Sequence, residues 1–175
     1  MTECLFFALW PDKTVRHTLS RWTRTQPAAA YRLIDRQNWH ITLLFLGNVS
    51  DSQKNFLLAT SGQGELSPFD LCLDHVEFWG HSRAVVLTAD RQAVPRPMEA
   101  LFQHLVDVAG ECGLEVADRP YIPHLTLWRG SGASASEWCL KSPICWHIGQ
   151  FVLLRSVPQP QGGVTYEELA CWPLA

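Results

Sequence analysis

Two short stretches of the sequence, about half the chain apart, pair a histidine with a threonine two residues later. These are His40-Ile-Thr42 in "NWHITLLFLG" and His124-Leu-Thr126 in "PHLTLWR". The apolar residues around each triplet are typical of a buried β-strand. Because side chains two residues apart point to the same face of a strand, each triplet presents one imidazole and one hydroxyl side by side.

Two such strands lying next to each other would place two imidazoles around one cavity. A neutral imidazole can accept a proton while a protonated one donates, and free histidine titrates near pH ~6.5, so both forms are accessible near neutrality. The two hydroxyls can donate to a phosphate held between them. A single histidine on an apolar strand is usually satisfied by a backbone partner, but two copies in the same context favour a shared site for transfer at phosphorus.

The rest of the chain predicts how these strands are positioned. The order of elements is β α β α β β α β β β, which is typical of an α+β domain. One H-x-T strand follows a helix in each half of the chain, so we expect a single domain over residues 1–175, made of two pseudo-symmetric lobes. The expected strands are 4–10, 39–46, 69–79, 83–88, 124–128, 146–157 and 164–172; the expected helices begin at Pro11 or Asp12 and at Ser50 or Asp51, and span 95–112.

Strict alternation assigns faces to the neighbours of the two triplets. It turns Leu43 and Phe45 into the core and places Trp128 on the face of His124. Arg129 then points away from His124 unless the strand ends or bulges there, which the adjacent Gly130 permits. A phosphate ligand and a salt bridge behind the site are therefore both open interpretations of Arg129.

Aromatic and basic residues supply further candidates for binding a nucleotide. Trp128 is the first choice for stacking on a base, because it shares the face of His124, and stacking candidates also include Phe45, Trp79 and Tyr121. Arg36 and Arg119 are weaker candidates for phosphate contacts. A linker is expected at 27–30 and a Gly/Ser/Ala-rich loop at 130–135.

The composition narrows the class of protein. The 175 residues carry a formal net charge of −3, which argues against a broad electrostatic grip on long nucleic acid and favours a short local contact. None of the six cysteines forms a C-x-x-C pair or has zinc-ligand spacing. The start of the chain lacks the features of a signal peptide, and no apolar run approaches the ~20 residues that span a bilayer. These features predict a cytoplasmic protein with reduced thiols and no membrane contact.

At this level of detail the sequence resembles a known family, the 2H phosphoesterase superfamily. Its bacterial RNA 2',3'-cyclic phosphodiesterase branch, also called 2'-5' RNA ligase, has paired H-x-T-x motifs similar to "HITLLFLG" and "PHLTLWR". The resemblance extends to "LFFALWP" at 5–11, "RPYIPHLTLWR" at 119–129 and "TYEELACWPL" at 165–174. It therefore covers nearly the whole chain.

The resemblance implies a two-lobed α+β fold with antiparallel sheets, helices outside and the active site in the groove between the lobes. It implies hydrolysis of a terminal 2',3'-cyclic phosphate on RNA to a 2'-phosphomonoester, with neither cofactor nor metal, and it allows 2'-5' joining of RNA ends. His40 would donate a proton to the leaving O3' and His124 would activate water. Thr42, Thr126 and Arg129 would bind the phosphate oxygens.

Other functions remain compatible with the same residues. A catalytically silent module that binds RNA ends would need no titrating pair, so two complete motifs favour the enzyme. A metal-dependent phosphoesterase would need an Asp/Glu/His cluster near a motif, and the sequence shows none there. Small cyclic nucleotides or 2'-5' oligonucleotides could also be substrates of the enzyme. We expect a monomer, because two lobes of one chain already build the site.

Overall fold

A computed structural model of the protein describes residues 2–26, 31–116, 120–130 and 138–175. The predicted linker 27–30, Arg119 and most of the predicted loop 130–135 lie outside the described residues. The strands are β1 Thr2–Leu9, β2 Arg32–Leu33, β3 Ile41–Ser50, β4 Phe69–Trp79, β5 Ala84–Thr88, β6 His124–Arg129, β7 Trp138–Ile148, β8 Gln150–Pro158 and β9 Val164–Pro173; the helices are α1 Lys13–Thr23, α2 Asp51–Thr60 and α3 Arg96–Glu111, with 3-10 turns at Arg36–Asn38 and Arg91–Ala93.

The strands form one antiparallel sheet in the order β7-β4-β5-β6-β3-β1-β8-β9, with the short β2 paired to β6. The two H-x-T strands are neighbours at its centre, joined by the pairing of Ile41 with Leu125. We call β3, β1, β8 and β9 the first half of the sheet, and β6, β5, β4 and β7 the second half. The last two strands of the chain thus return to the half that carries the first motif.

Short-range signals define the helix starts. Asp12 caps α1, its carboxylate accepting from the Val15 amide at 2.8 Å. Ser50 caps α2 in a capping box with Gln53, whose side-chain oxygen accepts from the Ser50 amide at 3.0 Å. Helix α3 begins after Pro95 and buries an apolar stripe at i, i+3 and i+4 spacing, formed by Met98, Leu101, Leu105 and Val108.

Helix packing ties the two halves together. Helix α1, which follows β1 of the first half, contacts β7 of the second half, whereas α3, which precedes β6, contacts β3 of the first half. Buried residues of all three helices and of both halves belong to one core cluster. A smaller cluster of Phe6, Ala8, Val152 and Leu154 covers the other face of the first half. One continuous core accounts for the α+β architecture predicted from the order of elements.

Two strands differ from the prediction near the C-terminus. The expected strand 146–157 is in fact the end of β7 and most of β8, which are separated at Gly149, and β7 begins much earlier, at Trp138. The sequence hides β7 because Ser142 and Pro143 interrupt its apolar pattern. Strand β3 also continues past its expected end, because Gly47 adopts a positive φ of 71° and lets the chain run on to Ser50.

The expectation that all cysteines are reduced thiols is wrong for one pair. Cys72 on β4 and Cys145 on β7 lie directly opposite each other, with their Cα atoms 4.0 Å apart, and form a disulfide. They are 73 residues apart in sequence, so only the strand register brings them together. Cys4, Cys112, Cys139 and Cys171 are free. Within the described parts of the chain, no helix is long and apolar enough to cross a membrane.

Candidate active site

The pairing of β3 with β6 brings the two predicted motifs to one cleft. The ladder between these strands joins Ile41 to Leu125, the residues that follow the two histidines. The cleft beside them has a volume of about 650 Å³. Its walls carry side chains from both halves of the sheet, among them Thr42, Phe45, Trp79, His81, Ser82, Tyr121, His124, Thr126 and Arg129.

Both imidazoles are anchored in the same way. Nδ1 of His40 lies 2.7 Å from the backbone oxygen of Asn38, and Nδ1 of His124 lies 2.8 Å from that of Ile122. A carbonyl oxygen can only accept, so Nδ1 carries the proton and donates in each ring. Nε2 is therefore the basic nitrogen of both neutral imidazoles. On His40 it lies 3.1 Å from the Thr42 hydroxyl, which donates to it in this state.

A β-bulge follows the threonine in each motif. Opposite β1, Thr42 pairs with Ala8 and Leu44 pairs with Phe7, so Leu43 is an extra residue. The register of β6 against β5 shifts at the equivalent place and leaves Leu127 as the extra residue. An inserted residue inverts the alternation of side chains beyond it. Residues that follow the bulge therefore lie on the face opposite to the one that strict alternation assigns.

The bulges correct two predictions and place the side chain of Arg129. Trp128 is 4% exposed and packs on Trp22 in the core, with ring centroids 5.8 Å apart, so its predicted place beside His124 is wrong. Strict alternation places Phe45 in the core, yet this residue is 56% exposed and lines the cleft. Arg129 also lines the cleft, and its guanidinium donates to the Ser82 carbonyl at 3.3 Å.

The surroundings of His40 are apolar. Its ring lies 5.1 Å from that of Phe6 and 4.9 Å from that of Tyr166, measured between centroids. The pKa of His40 is lowered to about 4, chiefly by burial and to a smaller extent by the positive charges of His124 and Arg16, against the opposing hydrogen bond to the Asn38 carbonyl. His40 is therefore neutral at pH 7 before an anion binds.

His124 has a different neighbour. The Trp79 ring lies 4.3 Å from the His124 ring, and the Trp79 indole N–H donates to Glu77 at 2.8 Å. The second carboxylate oxygen of Glu77 accepts from the Thr88 hydroxyl at 3.3 Å. Trp79, a stacking candidate from the sequence, thus packs against a catalytic candidate. It fixes the position of the imidazole and is itself fixed by a carboxylate.

Other residues support the first motif, and two of them, Asn38 and Tyr166, were not singled out from the sequence. The Asn38 side chain donates to the Val164 carbonyl at 2.7 Å, which ties the β8–β9 hairpin to the turn before His40. Tyr166 comes from β9 and reaches His40 only through that tertiary contact. Tyr121 donates to the Thr42 carbonyl at 3.1 Å, and burial raises the pKa of this phenol.

Three remaining observations bear on ligands. Among the described side chains, no group of three or more His, Cys, Asp or Glu could hold a metal ion. Arg36, a weaker phosphate candidate, lies outside the main cleft in a second one that also contains Trp10. His81, which lacks a following x-T pair, lines the main cleft.

Comparisons with known proteins agree with this geometry. Residues 10–159 match the model of the 2'-5' RNA ligase superfamily. The chain is 32% identical over 133 residues to the RNA 2',3'-cyclic phosphodiesterase of Escherichia coli (strain K12), covering 75% of this chain and 74% of that protein. It is 26% identical over 168 residues to the enzyme of the same name from Thermus thermophilus, covering 91% and 85% of the two chains.

Solved structures show the same fold. The crystal structure of E. coli LigT complexed with 3'-AMP matches with a TM-score of 0.89 and 30% sequence identity, over 100% of this chain and 99% of the other. The structure of that protein in its apo form gives a TM-score of 0.88. The comparison therefore covers both halves of the sheet and the cleft between them.

Proposed function

The chain belongs to the 2'-5' RNA ligase superfamily, also known as the 2H phosphoesterases, and on this premise we propose that it hydrolyses terminal 2',3'-cyclic phosphates of RNA. The product is a 2'-phosphomonoester, which makes the protein an RNA 2',3'-cyclic 3'-phosphodiesterase. One observation carries the proposal: two identically anchored imidazoles stand on neighbouring strands beside one cleft. His124, Thr42 and Thr126 line that cleft, and His40 is bonded to the Thr42 hydroxyl.

The two histidines divide the proton transfers of ring opening. Nε2 of His124 takes a proton from water as its oxygen attacks phosphorus on the side opposite O3'. The P–O3' bond breaks, and Nε2–H of His40 gives its proton to the departing O3'. The P–O2' bond stays, so the product carries a 2'-phosphate and a 3'-hydroxyl. The same chemistry with a ribose hydroxyl in place of water would join RNA ends through a 2'-5' linkage.

His40 needs a proton before it can act as an acid. Its pKa of about 4 applies to a cleft without an anion. A bound cyclic phosphate carries a negative charge, and an opposite charge close to a histidine raises its pKa. Binding of the substrate therefore increases the protonated fraction of His40, which is the form that can act as the acid.

The phosphate oxygens meet three donors. The hydroxyls of Thr42 and Thr126 lie beside the two imidazoles, and the bulge at Leu127 turns the Arg129 guanidinium to the same cleft. Arg129 adds a permanent positive charge where charge accumulates on the non-bridging oxygens. Phe45 offers its exposed ring as a stacking surface for the terminal base.

The organisation and setting of the enzyme follow from the same site. We propose that the two halves of the sheet are pseudo-symmetric lobes of one domain, each contributing one H-x-T-x motif, and that the protein acts as a monomer. We place it in the cytoplasm, where RNA ends are processed.

The product of a defined substrate tests the proposal. A short RNA ending in a 2',3'-cyclic phosphate is incubated with the protein in EDTA, and the product phosphate is identified by phosphorus NMR. We expect a 2'-monophosphate and an unchanged rate with the chelator. No turnover of this RNA would favour a silent binding module or a smaller cyclic substrate. A 3'-monophosphate would mean that O2' leaves instead of O3'. Loss of activity in EDTA would contradict metal-independent catalysis. The double variant His40→Ala/His124→Ala is the control.

A further inference from the structure

A second, basic cleft lies next to the catalytic one. It has a volume of about 480 Å³ and is lined by Trp10, Lys13, Arg16, His17, Arg36 and Gln37. Lys13, Arg16 and Arg36 are permanent cations, and none of the six lining residues is acidic. In a protein with a net charge of −3, this concentration of positive charge stands out and fits an anionic ligand.

The arginines of this basic cleft are held by neutral groups. Nε of Arg16 donates to the Pro11 carbonyl at 2.7 Å, Nη1 donates to the Arg36 carbonyl, and the guanidinium lies 5.5 Å from the Trp10 ring centroid. Arg36 donates to the Ser20 hydroxyl at 3.1 Å. These bonds fix both guanidinium groups without neutralising their charge, which leaves it available to a ligand.

Nearby carboxylates are engaged elsewhere. Asp12 accepts from the Val15 amide at the start of α1, and Asp35 accepts from the Gln37 amide at 2.9 Å in the 3-10 turn. Each carboxylate thus caps backbone donors at the edge of the basic cleft. Neither carboxylate lines the basic cleft, whereas Lys13, Arg16 and Arg36 do.

The basic cleft adjoins the acid side of the catalytic site. Leu9, the last paired residue of β1, lies opposite Ile41, so Trp10 and His40 occupy neighbouring positions at the end of that ladder. The turn that contains Arg36 leads directly into Asn38, whose carbonyl anchors His40. The positive charge of Arg16 acts on His40, where it contributes to the lowered pKa.

The chemistry of the ribose predicts which part of the substrate reaches this side. O3' is attached to C3', which is bonded to C4', and C4' carries C5' and the rest of the strand. O2' is attached to C2', which is bonded to C1' and the base. If His40 protonates O3', the edge of the sugar that bears the strand lies nearer to His40 than the edge that bears the base does.

We propose that the basic cleft binds a phosphate on the 5' side of the terminal nucleotide, so that the enzyme selects RNA strands over cyclic mononucleotides. The inference rests on the proposed function and on the role of His40 in it. Lys13, Arg16 and Arg36 together suit one or two phosphodiesters of a strand. So few phosphate contacts are compatible with the negative net charge of the protein. The ligand class is thus a 5'-linked phosphate of the RNA itself.

Charge reversal at Lys13 tests the inference with two substrates. Lys13 is exposed in the first turn of α1, where a glutamate suits the helix dipole, so Lys13→Glu should fold normally. We expect kcat/KM for a tetranucleotide with a 2',3'-cyclic end to fall about tenfold at low salt, the size of one lost charge-assisted contact. Hydrolysis of adenosine 2',3'-cyclic phosphate, which has no 5' phosphate, should stay within about twofold.

Matched variants separate this contact from a general charge effect. Arg91→Glu makes the same charge change on an exposed turn that lines neither cleft, and we expect it to leave both substrates unaffected. Arg36→Gln removes one cation yet keeps a donor for Ser20, and it should affect the tetranucleotide alone. A 5'-phosphorylated nucleoside 2',3'-cyclic phosphate with no further strand shows whether the first phosphate suffices. A lower kcat/KM of Lys13→Glu on this substrate supports the proposal, and so does a loss that appears only with the longer strand.

Different results overturn the inference and the proposed function. An equal loss on both substrates, no loss on either, or the same loss in Arg91→Glu would overturn the basic cleft as a strand site and leave the hydrolase intact. If the unchanged protein opened neither cyclic phosphate, the proposed function would fail and the inference with it.

Discussion

The two H-x-T motifs share a backbone but not their surroundings. In each, Nδ1 donates to the carbonyl two residues upstream, and a bulge follows the threonine. The side chain that the bulge delivers to the cleft differs: Phe45 in the first motif and Arg129 in the second. The two strands therefore present two similarly anchored imidazoles, and we propose that the residues around them give them different roles.

The neighbours of each imidazole show the same contrast. His40 packs against the rings of Phe6 and Tyr166, which desolvate it, whereas His124 packs against Trp79, whose N–H donates to a carboxylate. An apolar pocket disfavours the charged imidazole until an anion arrives. This makes protonation of His40 dependent on a bound anion. His124 instead lies against an indole that Glu77 holds in place.

The largest expected effect comes from removing either imidazole. His40→Ala and His124→Ala should each lower kcat by about 10²- to 10⁴-fold, the usual contribution of a general acid or base. Circular dichroism and the melting temperature should show that both variants fold. A variant that keeps nearly full activity would remove its histidine from the mechanism and break the equivalence of the two motifs.

Arg129 is the next largest contribution, because it is the permanent charge that the second motif has and the first lacks. Arg129→Gln should lower kcat roughly a hundredfold, as loss of an oxyanion donor does. The measurement is steady-state kinetics on the cyclic RNA end, with Arg91→Gln as the control. A loss of kcat no larger than that of the control would mean that Arg129 only holds the Ser82 carbonyl and does not bind the phosphate.

The threonines should show smaller and similar losses. Thr42→Val and Thr126→Val keep the shape of the side chain and remove one neutral donor to the phosphate, so each should lower kcat/KM about tenfold. Thr42→Ser and Thr126→Ser restore the hydroxyl and should recover most of the activity. Failure of the serine variants to recover it would show that the methyl group, rather than the hydroxyl, is what matters.

Phe45 and Trp128 test the two bulges directly. Phe45→Ala should raise KM several-fold through lost stacking, roughly 1 kcal/mol, and leave the free energy of unfolding nearly unchanged. Trp128→Ala should do the opposite: it should lower the free energy of unfolding by about 3–5 kcal/mol and spare KM. Chemical denaturation and kinetics on both variants give the comparison. If Phe45→Ala lowered the free energy of unfolding and Trp128→Ala raised KM, the bulges would not invert the alternation of side chains in these strands.

The smallest effect is a change in titration. By NMR the His40 imidazole should titrate near the pKa of about 4 in the free protein, and 2'-AMP should raise that pKa because the phosphate is negative. The pKa in the folded chain is below that of free histidine, so the unfolded chain binds more protons between pH 4 and ~6.5, and stability falls on acidification through that window. A His40 pKa above that of free histidine in the absence of anions would contradict its desolvation.

The sequence predicts the parts of this site that depend on local pattern. His40 with Thr42 and His124 with Thr126 share a face by simple alternation, and the structure places Thr42, His124 and Thr126 in the cleft wall, with His40 bonded to Thr42. The capping of α2 and the apolar stripe of α3 also follow from short-range signals. These features need no knowledge of distant parts of the chain.

The features that the sequence misses depend on neighbouring strands. The extra residues Leu43 and Leu127 are defined only by the register against β1 and β5, so alternation misplaces Phe45 and Trp128. Tyr166 reaches His40 from the last strand, and Cys145 reaches Cys72 across β4 and β7. Long-range pairing is not encoded in a local period, and this explains why these contacts appear only in the structure.

The measurement that most directly tests the division of labour uses a substrate whose leaving atom is changed. A terminal cyclic phosphate with sulfur in place of O3' has a leaving group that needs no proton. Hydrolysis of the oxygen and sulfur substrates is compared for the unchanged protein, His40→Ala and His124→Ala. The assignment predicts that His40→Ala recovers most of the normal rate on the sulfur substrate while His124→Ala stays inactive. Recovery of His124→Ala instead, or of neither variant, would contradict the roles of acid and base given to the two motifs.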